Sequence, residues 1–212
     1  MTDTELVRAI DVGIRELGQS VPDGCAEKLA TLAGELARWN RRMNLTAVRE
    51  PRDMVALHLL DSLSVRAALE GDSVIDIGTG AGFPGLPLAL TEPGRRFTLL
   101  DGNARKIGFV RHMLMQLELG NAEAVQGRAE SYVPERRFAT VVARAVTSLA
   151  GLIKVGDALM DDNGVLLAMK GKRPDEELDE VPDDWTTTVT ELEVPGLPPR
   201  SRHLVAVRRV TV

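Results

Sequence analysis

The short β-branched run Ser73-Val74-Ile75-Asp76-Ile77 ends directly in Gly78-Thr79-Gly80-Ala81-Gly82-Phe83-Pro84-Gly85. A hydrophobic strand that breaks on glycines and resumes as a helix must turn sharply. The missing side chains also let a ligand approach the backbone closely. Asp101 closes the next strand-like run, Phe97-Thr98-Leu99-Leu100-Asp101, where a carboxylate can accept hydrogen bonds from ribose hydroxyls. Together these features predict a crevice for a nucleoside at the carboxyl ends of parallel strands.

The rest of the chain fits that expectation. The first ~70 residues read as helical, because Cys25, Leu29, Leu32, Leu36 and Trp39 recur at helical spacing. A second helix is expected from about Asp53 to Leu69, with Pro51 just ahead of it. Between the two, NRRMNLTAV reads as an exposed, basic connector. From residue 73 strands and helices alternate. Helices are expected over about Pro84–Leu90, Asn103–Leu119 and Ser148–Met160, and strands at 97–101, 122–126, 138–143 and 164–169. Such alternation builds a parallel sheet covered by helices on both faces. TTTVTELEV and RHLVAVRRV, joined by PGLPPRS without a helix, then imply a hairpin with an antiparallel strand at that edge. The expected division is a helical extension over 1–70 and a ligand-binding domain over 71–212. PDEELDEVPDD reads as a surface helix or loop.

Composition excludes several function classes. No apolar run approaches the roughly 20 residues that span a bilayer. MTDTELVRAI carries Asp3 and Glu5 without an apolar signal core, so the cytoplasm is the expected compartment. One cysteine, Cys25, allows no internal disulfide and no cysteine-based metal cluster. His112 and His203 are too scattered to form a metal site, and none is expected. The net charge of −5 argues weakly against nucleic acid. Its distribution argues the other way: Arg38 to Arg52 holds five arginines against Glu50, and the last 18 residues hold four arginines and no acid. Aromatic residues make up only 3%, too few for stacking along an extended single strand.

Gly80, Gly82 and Gly85 also satisfy G-x-G-x-x-G, which leaves a nicotinamide dinucleotide open. Three features favour a methyl-donor sulfonium nucleoside instead. Asp76 would repel a pyrophosphate but tolerates a cofactor with a sulfonium and a free amino group. The C-terminal hairpin suits a methyltransferase sheet, and little chain remains for the second domain common in hydride-transfer enzymes. The acceptor is narrowed by absences. No Asn/Asp-Pro-Pro-aromatic tetrapeptide is present for methylating an exocyclic amine. Methylating pyrimidine carbon 5 usually needs a cysteine nucleophile, and Cys25 lies on an apolar helical stripe. Guanine N7, whose lone pair is free at neutral pH, needs only to be held in line with the methyl group in a dry pocket. No catalytic acid or base is assigned.

A set of blocks then resembles one family. WNRRMNLTA at 39–47, HLLDSL at 58–63, DIGTGAGFPGLPLA at 76–89, LLDGNARK at 99–106, RAE at 128–130, ARAV at 143–146, MKG at 169–171 and RHLV at 202–205 look like the bacterial 16S ribosomal RNA guanine-N7 methyltransferase G family, also called glucose-inhibited division protein B. The resemblance spans nearly the whole chain. It implies an α/β class I methyltransferase fold, Rossmann-like and mostly parallel, and N7 methylation of one guanine in 16S rRNA with S-adenosyl-L-methionine. It also implies the cofactor over Gly78, Gly80 and Phe83, its ribose at Asp101 and its adenine flanked by Ala129 and Glu130. Arg144 would lie near the methionine end or the target base. The family usually has Ser where this chain has Gly102, read as one minor hydrogen bond lost.

Other residues carry two readings each. His58 and Asp61, three apart on one helical face, are either a hydrogen-bonded pair anchoring the N-terminal helices or substrate contacts. Asn44 and Thr46 either line the acceptor pocket or cap a turn. Lys170, Arg202 and the Arg38–Arg52 cluster are the candidates for phosphate contact. The partner expected is 16S rRNA or the 30S subunit, bound by a monomer, since nothing demands a dimer. Two rivals stay open at this point: a small-molecule methyltransferase, and an RNA-binding assembly factor with a vestigial cofactor pocket.

Overall fold

The computed structural model describes residues 2–144 and 148–210; of the ARAV block, Ala145 and Val146 lie outside them. Helix α1 (Asp3–Glu16) starts on a reciprocal Thr2/Glu5 cap and buries Leu6, Ile10 and Ile14. Helix α2 (Cys25–Met43) buries Cys25, Leu29, Leu32 and Leu36 and ends at Asn44, which adopts a left-handed φ of 48°. Next come α3 (Pro51–Met54), a π-helical turn (Val55–Leu60), α4 (Asp61–Leu63) and a 3-10 turn (Arg66–Ala68). The alternating part follows as β1 (Ser73–Ile77), α5 (Gly85–Thr91), β2 (Arg96–Asp101), α6 (Ala104–Gln116), β3 (Ala122–Gln126), β4 (Phe138–Arg144), α7 (Leu149–Gly156) and β5 (Met160–Lys170). Helix α8 (Asp175–Leu178) and the hairpin β6 (Trp185–Glu191) and β7 (His203–Arg209) close it.

The seven strands form one sheet in the order β3-β2-β1-β4-β5-β7-β6, parallel through β5, with β7 antiparallel to both neighbours. Strand period sorts the core. Val74, Leu99, Val142 and Leu167 lie in the core on the side of α5 and α6, onto which α2 and then α1 pack, while Ile75, Leu100, Val141 and Leu166 lie in the core on the α7 side. Because β1 has β2 on one side and β4 on the other, the chain changes direction across the sheet beside β1. Ligand crevices of open α/β sheets form at such a point.

Several expected boundaries move. The helix expected over 53–69 begins at Pro51, where a missing N–H costs nothing, and passes through a π turn before ending at Leu63. The helix expected to reach Met160 stops at Gly156, because Met160 already pairs with Phe138 as the start of β5. Asn103 and Ser148 cap their helices rather than joining them. The antiparallel strand lies one place in from the edge: β7, with Val205 and Val207 buried, is paired on both sides and leaves the threonine-rich β6 outermost. The connector after α2 is only partly exposed, since Asn40 and Leu45 are buried. Leu178 of the acidic segment packs onto the α7 side of the core.

Gly85 opens α5 against the underside of β1. A Cβ there would overlap Leu99 and press on the Asp76 carboxylate. Gly85→Ala is therefore expected to destabilise the protein by about 2–3 kcal/mol through overpacking. Urea denaturation reads this directly, and a wild-type midpoint would contradict it.

Candidate functional site

The loop between β1 and α5 is held from below. Asp76, fully buried, accepts a hydrogen bond from the Thr79 hydroxyl at 2.6 Å and from the Gly85 N–H at 2.8 Å through one carboxylate oxygen. Its other oxygen has no partner among the described residues. Burial pushes its pKa up to about 6, against the pull of those two donors and of Arg144. Asp76 thus braces the loop beneath the cavity rather than lining it. Asp101, at the end of β2, accepts the Gly80 N–H at 2.9 Å and the Asn103 N–H at 2.7 Å. It ties the loop to the first turn of α6.

Above this loop is a cavity of about 380 Å³ walled by Gly78, Thr79, Gly80, Ala81, Phe83, Asp101, Lys106, Arg144, His58, Leu45 and Thr46. Its size lies within the usual range for small-ligand sites, roughly 300–1,000 Å³. The sheet supplies one wall and the N-terminal helices the other. A larger depression of about 1170 Å³, between Asp72, Arg96, Glu123 and Arg137, lies at the amino ends of the strands. It lacks the glycine loop and sits at the end where parallel sheets do not bind ligands.

The helical wall is a chain of hydrogen bonds. The Asn40 side chain donates to the carbonyls of Thr46 and Val48 and accepts from the Thr46 N–H, fixing the turn after α2. The Thr46 hydroxyl meets His58 Nε2 at 2.9 Å, and His58 Nδ1 lies 2.9 Å from the Leu57 carbonyl. A carbonyl only accepts, so Nδ1 carries the proton and Nε2 takes the threonine hydrogen. Burial, with Arg144 nearby, lowers the His58 pKa to about 4. The neutral imidazole stacks on Phe83 with ring centroids 4.9 Å apart, and the Arg144 guanidinium lies 5.5 Å from the Phe83 centroid.

Asp61, 3% exposed at its side chain, accepts from Arg144 at 3.1 Å with one oxygen and from Arg202 at 2.7 Å with the other. Arg144 also donates to the Leu57 carbonyl. The two readings of His58 and Asp61 therefore separate. The side chains do not pair with each other, because the π turn and the neighbouring strands give each a different partner; π turns recur at functional sites.

Of the residues named from the sequence, Gly78, Gly80, Phe83, Asp101, Arg144 and His58 converge on one cavity. Asp61 and Arg202 stand behind Arg144. Ala129 and exposed Glu130 form a short 3-10 turn just beyond β3, at the same end of the sheet but not among the residues that wall the cavity. Asn44 is exposed and accepts a hydrogen bond from Arg49 at 3.2 Å. Lys170 meets Glu177 at 2.7 Å, and Glu177 also accepts the Leu149 N–H at the start of α7. Arg202 and Lys170, read as phosphate contacts, are thus both engaged by acids. Trp39 packs edge-on against Phe109, and Cys25 is buried with its thiol pushed up to about 11. Sequence reasoning missed Lys106, Leu45 and Asn40. Lys106 was visible within LLDGNARK, on the third helical residue after the Asn103 cap. Among the described residues no cluster of His, Cys, Asp or Glu is arranged to hold a metal, and no helix is long and apolar enough to cross a membrane.

His58 and Asp76 bias stability in opposite directions. His58 protonates near 6.5 in the unfolded chain and near 4 in the folded one, so its contribution is present above pH 6.5 and lost as pH falls through 4. Asp76, raised from 3.8 to about 6, contributes below pH 3.8 and loses that contribution as pH rises through 6. Between about pH 4 and 6 the two slopes offset each other. Asp76→Asn should unmask the His58 slope, steepening the fall in stability on acidification by up to ~1.4 kcal/mol per pH unit. Denaturation curves from pH 4 to 7 that run parallel to wild type would refute this.

The model for the family GidB, rRNA small subunit methyltransferase G, matches residues 25–205. Ribosomal RNA small subunit methyltransferase G of Alkalilimnicola ehrlichii is 44% identical over 206 residues, covering 97% of this chain and 93% of that protein. The protein of that name from Stenotrophomonas maltophilia is 47% identical over 173 residues, covering 81% of each. Among solved structures, the glycopeptide N-methyltransferase MtfA complexed with S-adenosyl-L-methionine superposes with a TM-score of 0.63 at 13% identity, covering 73% of this chain and 88% of that one. TrmN from Thermus thermophilus gives 0.57 at 18%, covering 81% and 53%. At such identities the likeness is one of fold.

Proposed function

Because this chain belongs to the rRNA small subunit methyltransferase G family, we propose that it methylates N7 of one guanine in 16S rRNA by direct displacement. It is an S-adenosyl-L-methionine-dependent rRNA methyltransferase of α/β fold. In this reading residues 1–70 are a helical extension, residues 71–212 bind the cofactor, and a monomer acts on the 16S rRNA or the 30S subunit in the cytoplasm.

The observation that carries the N7 assignment is the state of His58. It is the imidazole in the cavity wall, yet both its nitrogens are occupied and its pKa of about 4 makes it a poor proton acceptor near neutrality. A wall so built suits an acceptor that loses no proton before it attacks, and guanine N7 is one. The cofactor, when bound, supplies a methyl group on a sulfonium, so that the N7–carbon bond forms as the carbon–sulfur bond breaks and the positive charge passes to the guanine.

The donor set suits such a nucleoside. Glycines at 78 and 80 leave the floor without side chains, and the Asp101 carboxylate has acceptor capacity beyond its two backbone donors. Phe83 and Arg144 offer an apolar face beside a cation. Ala129 and Glu130 are assigned to the adenine end, and Asn44, Lys170 and Arg202 to the substrate side. What remains for the protein is to orient the two reactants and exclude water, effects that together can remove much of a transfer barrier. Purified protein, methyl-labelled cofactor and unmethylated 30S subunits or 16S rRNA should yield 7-methylguanosine. Label on any other atom of the RNA would overturn the assignment.

A further inference from the structure

Helix α2 ends in a feature that the transfer chemistry does not use. Arg38, Trp39, Arg41, Arg42 and Met43 line an open groove of about 690 Å³. Arg41 and Arg42 are exposed and have no acidic partner among the described residues. Arg49 folds back onto the same end of the helix, but among the described residues it donates only to neutral oxygens, the Asn40 carbonyl and the Asn44 side chain. Three guanidiniums there meet no carboxylate among the described residues, in a protein whose net charge is −5. Arg38 differs, being paired with Glu35.

Arginines in a last helical turn also interact favourably with the helix dipole, worth typically 0.3–1 kcal/mol. That accounts for Arg41 and Arg42 but not for Arg49, which comes from outside the helix, nor for the groove. Place is the second argument. The turn that begins at Asn44 delivers Leu45 and Thr46 into the cavity wall, so a single residue of chain separates Met43 of the charged groove from the wall of the site. A phosphate backbone entering the site from that side would meet the guanidiniums first.

We propose that this end of α2, through Arg41 and Arg42 in the groove and Arg49 at the turn beside it, binds the phosphates of the rRNA strand beside the target guanine; the proposal rests on the rRNA reading above. The contacts are to backbone phosphates, so they hold the strand in register without reading its sequence. The groove acts on RNA affinity and leaves the cofactor site untouched.

The test compares wild type with Arg41→Gln/Arg42→Gln, with Arg49→Gln, and with Arg136→Gln/Arg137→Gln at the far end of the sheet. Binding to naked 16S rRNA and to unmethylated 30S subunits is measured against salt, together with methyl transfer and cofactor affinity. The double variant at α2 should raise KM for rRNA at least tenfold, with kcat and cofactor Kd within twofold of wild type. It should also flatten the slope of log K against log salt by about 1.4, the loss of two single-strand phosphate contacts. Arg49→Gln should give a smaller change of the same kind. An unchanged slope, or equal weakening by the Arg136/Arg137 control, overturns the proposal. So does weakening on 30S subunits alone, which would make the partner a ribosomal protein. A wild-type protein that binds rRNA through these arginines but transfers no methyl group would instead overturn the methyltransferase reading and leave the groove standing.

Discussion

Asp61→Ala is expected to lower stability by about 3–5 kcal/mol, because it strips the shared carboxylate from two guanidiniums that the fold has taken largely out of water. Asp61 is buried, and it bonds Arg144 and Arg202 through separate oxygens. Without it, two cations remain side by side with backbone carbonyls and, for Arg144, the Phe83 ring as compensation. For a chain of this size each kcal/mol moves the midpoint by roughly 2–4 °C, so a fall on the order of 10 °C should be seen by thermal denaturation. Asp61→Asn keeps one acceptor and should fall between. Methyl transfer should fall further than stability alone explains, since Arg144 forms part of the cavity wall. A melting point within 2 °C of wild type would remove the clamp from the account.

Asp101→Ala carries the second large expectation, this time on binding. Its carboxylate satisfies the Gly80 and Asn103 N–H groups and faces the cavity. Loss of both bonds should cost about 1–3 kcal/mol of stability. Affinity for S-adenosyl-L-methionine should fall at least a hundredfold, because the loop loses its tether as the ligand loses an acceptor. Calorimetry on the folded variant separates the two effects. Asp101→Asn retains one acceptor and should recover part of the affinity. Unchanged binding by Asp101→Ala would mean that the nucleoside lies elsewhere.

Much of the cofactor side could be read locally. Strand, glycine turn and Asp101 lie within 30 residues of one another, and their chemistry does not depend on distant chain. The π turn could not be read that way, since apolar periodicity does not distinguish it from the α-helix around it. The helical wall was only half legible. His58 and Asp61 were recognisable as polar residues on one helical face, but their spacing left a mutual pair and substrate contacts equally open. In the folded protein each turns to something else: His58 to Thr46, Asp61 to arginines 83 and 141 residues away.

That contrast divides the protein as a whole. Alternating apolar runs, capping residues and glycine turns decide the elements and the α/β class, because each acts through neighbours a few residues apart. Which strand ends outermost, which arginine keeps a free charge and which is neutralised by Asp61 are decided only when the sheet closes and the N-terminal helices pack on it. Burial makes an unpaired charge costly, so partners are chosen by what the fold brings within reach. Arg202 and Arg41 look alike in the sequence, yet one is held by a buried carboxylate and the other is exposed at the end of α2.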